Sequence, residues 1–471
     1  MSSEIVDRQR EWQDRTWFPP GPQLAICLSG GKERLADLTD DELLQVAAAA
    51  RRQTSWAQAR ELAAIAELQQ RRTGAEVDGD PDYRVLSAHE AVTEEVSAAL
   101  SVTGNAAATL VHLAERLVGP LAATGAALEA GRIDLSKARA ISAATETLPD
   151  EAAEKVEAAA LEKASTQTTG QLRRRIKRLA ERLAPEAVEE RKREAVRQRR
   201  LEIWDTPSGT TDLALCDLAA EDAHAIFNKI TAAAQGLKHD GDPRPLNLIR
   251  TDLATQLLYG ADLPAALRAL LTPPPDDLPT AHRTVGHGCE GRTDAAESAS
   301  SSPSIADAAE PGGRSVAGDG VFVSELVDRI ERRLAHVRDH VQPERLPIAI
   351  RRAAQRIHQE LAGARDDACR GRDERHGRPG YRPPAALRLE IEARHATCVF
   401  PTCNQPVHRC DIDHTIPWRP GTTCRCNLAP LCRRHHRLKQ TPGWKLHQVW
   451  PGILLWITPS GAWYIVRSDR R

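Results

Sequence analysis

Between residues 398 and 439 the chain reads CVFPTC, NQPVHRCDIDHTIPWRPG and TTCRCNLAPLCRRHHRLK, and two sets of metal-binding side chains are interleaved there. Cys398 and Cys403 form one close pair, and Cys432 and His435 form a second about thirty residues later. Two such pairs joined by a loop of that size can close a tetrahedral zinc knuckle. Asp413, His414 and Asn427 lie inside the loop, and His436 stands just past its last ligand. If residues 431–439 are helical, Cys432 and His435 share a face, three residues apart. His436 then points about 100° further round, so the adjacent histidines can serve different ions.

The elements that must position this second set follow from the pattern. Asp411-Ile412-Asp413-His414 alternates polar and apolar and runs into Pro417 and Pro420-Gly421, as a strand ending in a turn does. A strand, a turn, a short second strand and a helix would bring Asp413, His414, Asn427 and His436 together. Asp413 and His436 would then hold a divalent cation with positions open for a phosphate oxygen and water. Mg, Mn, Ni or Zn would suit such a pair. The imidazole of His414 titrates near working pH and can take a proton from attacking water. Asn427 would either hold the loop by amide hydrogen bonds or serve as a third oxygen ligand.

Cys398-x4-Cys403, Asp413-His414, Asn427-Leu428 and Cys432-x2-His435-His436 with Lys439 resemble an HNH endonuclease of the ββα-metal fold. The His, Asn and His of that name fall on His414, Asn427 and His436. Arg394, Cys398-Val399-Phe400-Pro401, Pro417-Trp418 and Gly443-Trp444 resemble bacterial proteins that pair this nuclease with the domain of unknown function 222. The nuclease resemblance covers residues 382–463 and implies DNA as partner, a catalytic divalent cation, a structural zinc and hydrolysis of phosphodiester bonds. Arg433, Arg437 and Lys439 are expected as phosphate contacts. Cys410, Cys424 and Cys426 have no place in the scheme and are expected as ordinary reduced cysteines.

The 471 residues suffice for two or three domains, and a net charge of -1 says nothing general about partners. Residues 382–471 hold fourteen Lys/Arg against five Asp/Glu, a balance that suits a polyanion. Ten cysteines without a secretory leader point to a reducing cytoplasm and metal ligation. No apolar run approaches the roughly 20 residues of a membrane span, and neither a membrane partner nor a small-molecule cofactor is expected. With aromatics at 4% and alanine abundant, helices packed through Ala and Leu are favoured over sheets.

The predicted fold is a mainly α N-terminal region with one short β-hairpin, a disordered linker, and a small α+β C-terminal HNH module with a zinc knuckle. Residues 1–37 are expected to be loosely ordered, 38–265 to form the helical domain, and 266–320 to be the linker. Helices and a basic connector fill 321–381, ahead of the nuclease at 382–471. Within the helical domain, a helix ending near Leu100, the turn Ser101-Val102-Thr103-Gly104 and a helix over 106–117 have the outline of a helix-turn-helix. That second helix offers few groove-reading side chains. Residues 171–200 carry twelve Lys/Arg against five Glu at helical spacing and read as one long solvated or phosphate-contacting helix. Residues 201–204 and 211–215, joined by Pro207-Ser208-Gly209, read as a hairpin. The linker has almost no large apolar residue from Pro273 to Gly320, and His282, His287 and Cys289 in it are isolated. Three closing strands follow the nuclease motif, with tryptophans that pack the module. Besides the nuclease, two other readings are open: a zinc-stabilised nucleic-acid-binding protein without cleavage, and an assembly protein acting through its helices.

Overall fold

A computed structural model describes residues 18–29, 34–77, 86–259, 316–370 and 376–468. The chain divides into two units, Met1–Leu183 with Gly312–Arg471, and Ala184–Pro311.

The first unit opens on a helix, α1 (Pro22–Leu28), where loose chain was expected. Proline at its start presets the helical φ, and Leu24 and Cys27, three apart, are buried. The Gly21 N–H ties the entry to Gln53 Oε1 at 2.8 Å. The helix α2 (Asp40–Val77) runs on through Gly74. In α3 (Ala88–Leu100) Ser87 and Glu90 make a capping box, worth about 1 kcal/mol. Ser101, at φ 54, ends α3, and Thr103 caps α4 (Gly104–Val118). The two helices meet at 114°. Then come α5 (Ala122–Glu129), α6 (Leu135–Thr145), α7 (Asp150–Ala164) and α8 (Thr169–Leu183). Val92, Val111, Leu128, Ile141, Val156 and Ile176 are among the fully buried side chains of these helices.

The charged run over 171–200 is two helices, not one. Pro185 cannot continue a helix and pushes the preceding residue out of helical conformation, as Ala184 at φ -146 shows. The chain passes between its two units at this break. The second unit contains α9 (Pro185–Arg197), the antiparallel hairpin β1 (Arg200–Asp205) and β2 (Thr211–Cys216), α10 (Ala220–His239) and α11 (Leu246–Leu258). Ala233, Ala234, Ile249 and Leu253 form its small core. Most of the expected linker, with His282, His287 and Cys289, lies outside the described residues.

The chain re-enters the first unit with α12 (Val316–His340), α13 (Leu346–Glu360), α14 (Ala362–Arg370) and α15 (Ala385–Arg394). Two short antiparallel strands follow, β3 (Asp411–His414) and β4 (Leu428–Leu431), with Asp411 opposite Leu431 and His414 opposite Leu428. The helix α16 (Arg433–Gln440) comes next, so Cys432 caps this helix instead of lying inside it. A three-stranded antiparallel sheet, β5 (Lys445–Trp450), β6 (Ile453–Ile457) and β7 (Trp463–Arg467), closes the chain.

The middle strand β6 is buried on both faces, and its alternation sorts two cores. Leu454 and Trp456 pack with Phe400, Leu431, Leu438 and Trp444. Ile453, Leu455 and Ile457 pack under Leu326, Ile330, Leu334, Ile350 and Ile357 of α12 and α13. Each such aliphatic side chain contributes about 1.5–3 kcal/mol by leaving water. The helices expected to precede the C-terminal module are therefore part of it. Leu86 and Ala98, beside and within α3, join the first of these cores.

Candidate active site and metal centres

The knuckle residues meet as their spacing demanded. A turn with Cys403 N–H donating to Phe400 O at 3.1 Å brings Cys403 back beside Cys398. The end of β4 and the first turn of α16 deliver Cys432 and His435. The four ligand atoms all lie within 4.8 Å of one another. His435 Nδ1 stands 3.1 Å from Cys432 Sγ and 3.5 Å from Cys398 Sγ, and Cys403 Sγ is 4.0 Å from Cys432 Sγ. Ligands at the usual Zn–S and Zn–N lengths would stand about 3.6–3.8 Å apart, so this group can hold a metal ion such as zinc. The Cys432 N–H points at Cys398 Sγ at 3.4 Å, a donor suited to a thiolate. Phe400 stacks on the His435 ring at 4.0 Å.

The other nitrogen of His435 is taken by a residue far upstream. Nε2 lies 3.1 Å from Glu94 Oε2 on α3, and Glu94 also pairs with Arg434. With Nδ1 facing the thiols, Glu94 fixes the tautomer that leaves Nδ1 a lone pair for metal.

His436 faces elsewhere. Its Nε2 lies 3.4 Å from Asp413 Oδ1, and its Nδ1 lies 3.9 Å from Asp411 Oδ2. Two ligands about 2.1 Å from one octahedral ion stand roughly 3 Å apart, so Asp413 and His436 fit a shared cation. Asp413 Oδ2 pairs with the ammonium of Lys439, which also donates to the His414 carbonyl. Lys439 is thus turned inward, unlike the surface phosphate contact expected of it. Arg433, exposed on α16, pairs with Asp411 at 3.3 Å, and Arg437 is exposed on the same helix.

Asp413, His414 and His436 line one cleft of about 540 Å³, with Tyr381 and Trp418 among its walls. His414 Nε2 lies 3.0 Å from Thr423 Oγ1, whose hydroxyl donates to Gly380 O at 2.6 Å. A carbonyl only accepts, so the Thr423 proton is committed to it and His414 must donate from Nε2. Nδ1 is left with its lone pair. Burial lowers the His414 pKa, offset by the Asp413 carboxylate and reinforced by Lys439.

Asn427 resolves the alternatives left open by the sequence. Its Oδ1 accepts from Thr415 Oγ1 at 2.9 Å and from the Ile416 N–H at 2.8 Å, and its Nδ2 donates to Thr422 O at 2.9 Å. Both carbonyl lone pairs are used, so Asn427 pins the two ends of the loop together and has none for an ion.

Cys424 and Cys426 are free thiols, but they do not stand alone. They meet Cys369 at the end of α14 and His376 in the connector, with all four ligand atoms within 4.8 Å. This second group could also hold a metal ion such as zinc. Cys369 and His376 escaped the sequence reading because they lie some fifty residues before Cys424; the one local signal is the Cys-x-Cys spacing. Cys410 belongs to neither four-residue group; its thiol is directed at the carbonyls of Pro406 and Gln405 at 3.4 and 3.7 Å and neighbours the Cys398 thiol at the edge of the knuckle.

The helix pair α3–α4 keeps the outline of a helix-turn-helix but not the side chains. Arg116, the single Lys or Arg of α4, bonds Thr145 at 2.8 Å. Thr103, Gly104 and Asn105, at the end that would enter a groove, line a cleft with Cys403 and Arg434. Trp444 and Trp456 are buried in the module as expected, whereas Trp418 is 38% exposed.

Comparison with known proteins gives a relationship without an activity. The model of a family described as a domain of unknown function, DUF222, matches residues 49–271. Over 470 residues the chain is 30% identical to the uncharacterized protein Rv3776 of Mycobacterium tuberculosis, spanning 95% of this chain and 83% of that protein. It is 29% identical over 465 residues to the uncharacterized protein Rv2100 of the same species, spanning 95% of this chain and 79% of that protein. No solved structure matches. Among the described residues no single helix is long and apolar enough to cross a membrane.

Proposed function

The chain belongs to the DUF222 family, and from that starting point we propose that its C-terminal module is a metal-dependent endonuclease hydrolysing phosphodiester bonds in DNA. The observation that carries this reading is the convergence of Asp413, His414 and His436 on one cleft beside, but separate from, a zinc-type knuckle. A knuckle that served only to hold shape would need none of the three. Asp413 and His436 would hold the catalytic cation (Mg, Mn, Ni or Zn), which supplies charge stabilisation at the phosphate and the leaving oxygen. His414, held by Thr423 with Nδ1 unprotonated, takes the proton of the attacking water. A lowered pKa keeps that imidazole neutral at physiological pH, as a base must be. Asn427 positions the loop, Lys439 positions Asp413, and Arg433 and Arg437 on the outer face of α16 suit backbone phosphates. Tyr381 and Trp418, exposed rings that line the cleft and meet edge to face with centroids 5.8 Å apart, offer a surface on which an unstacked base can lie.

A second reading, zinc-stabilised nucleic-acid binding without cleavage, draws support from the Lys439 ammonium on Asp413. The first is preferred because Asp413 still turns its other oxygen to His436. Supercoiled plasmid should be cut by purified protein with Mg or Mn and spared with EDTA. His414→Ala should lower the rate by about 10²–10⁴-fold with zinc content and melting unchanged. Binding of DNA without cutting under any of these ions would favour the second reading.

A further inference from the structure

We propose that Cys369, His376, Cys424 and Cys426 form a second structural zinc centre, and that it fastens the loop behind His414 to α14. Cys426 Sγ lies 3.2 Å from both Cys424 Sγ and His376 Nε2, and the whole set falls within 4.8 Å. Ligands on zinc would spread to about 3.6–3.8 Å, a shift of roughly half an ångström. The three cysteines are between 3% and 5% exposed and, among the described residues, form a buried cluster of their own. Three thiols and one imidazole gathered from α14, the connector and the loop before β4 make a poor apolar core, because S–H is a weak donor and such short side chains interdigitate little. A disulfide between Cys424 and Cys426 would leave Cys369 and His376 without purpose. A Cys₃His set is a closed, structural donor set for zinc. Asp366 Oδ1, 3.8 Å from His376 Nε2, stands just outside it. Binding takes three thiolates and a neutral imidazole, so three thiol protons leave as the metal enters.

The position of this centre gives it a task. Thr423, which orients His414, immediately precedes Cys424, and Asn427, which ties the loop ends, immediately follows Cys426. The connector carrying His376 runs along the same loop, with Arg378 N–H donating to Thr423 O at 2.9 Å and Gly421 N–H to Arg378 O at 3.2 Å. Arg425, between the two cysteines, donates to Cys369 O at 2.8 Å and pairs with Glu390 of α15. A metal here would hold both anchoring residues of the cleft at once. Only this catalytic consequence rests on the nuclease reading; the centre itself does not.

Zinc is counted by mass spectrometry in full-length protein carrying Asp413→Ala, so that the cleft adds no ion. Two zincs per chain are expected there, one after Cys369→Ser or His376→Ala, and two again with His376→Cys, which restores a ligand. With Asp413 intact, Cys369→Ser should also slow plasmid cutting at least tenfold while the knuckle keeps its zinc. One zinc in the parent chain, or an unchanged count in Cys369→Ser, overturns the proposal. Two zincs without cutting would sink the nuclease reading and leave this centre standing.

Discussion

A carboxylate bonded to the outer nitrogen of a metal-binding imidazole decides which nitrogen carries the proton, and here that carboxylate is Glu94. It sits 341 residues from His435 in sequence. Glu94→Gln keeps the size but removes the charge that makes Nδ1 a better ligand. Zinc should bind about 10–100-fold more weakly, read as faster release to a chromogenic chelator; an unchanged release rate would reduce Glu94 to a packing residue. The sequence showed the knuckle because Cys398, Cys403, Cys432 and His435 come as two close pairs. It hid Cys369, His376 and Glu94 because each reaches its cluster from another element, and no local spacing records that.

At the scale of elements, the loop from β3 to β4 depends on how closely the connector can approach it. Gly377 has φ +79, and a Cβ added there would lie 1.9 Å from Gly421 O. Gly377→Ala must therefore move the connector away from Thr423. The left-handed backbone alone costs about 1–3 kcal/mol; urea unfolding should show at least that loss, and plasmid cutting should fall with it. An unaltered midpoint would mean that the connector is not held against the loop. Most elements were legible from periodicity, including the hairpin β1–β2 and the strands β5 to β7. The break at Pro185 was visible in the residues but outweighed by the charged helical pattern around it. That α12 and α13 cover β6 was not visible, since an all-apolar strand does not say what lies on either face.

At the scale of the whole molecule, three histidines outside both clusters make stability depend on pH. Burial, with Arg365 and His447 nearby, lowers His358 to about 4. Burial beside Arg394 lowers His395 to about 3, and burial beside Lys445 lowers His447 to about 4. Above the ordinary value of about 6.5, folded and unfolded chains are both neutral at these sites. As pH falls below it the unfolded chain takes up protons first, so stability is lost progressively down to the folded values. Melting temperature should drop between pH 7 and pH 5, and less steeply in His447→Gln; parallel curves would exclude the histidines as the cause.

The bond between Glu94 and His435 also orders events during synthesis. The early helices emerge with Glu94 still in water, and its partners Arg434 and His435 are made more than three hundred residues later. Burying that acid before they arrive would strand an uncompensated charge, which favours leaving this face of α3 open until they do. The contact is a long-range closure of the kind that slows folding.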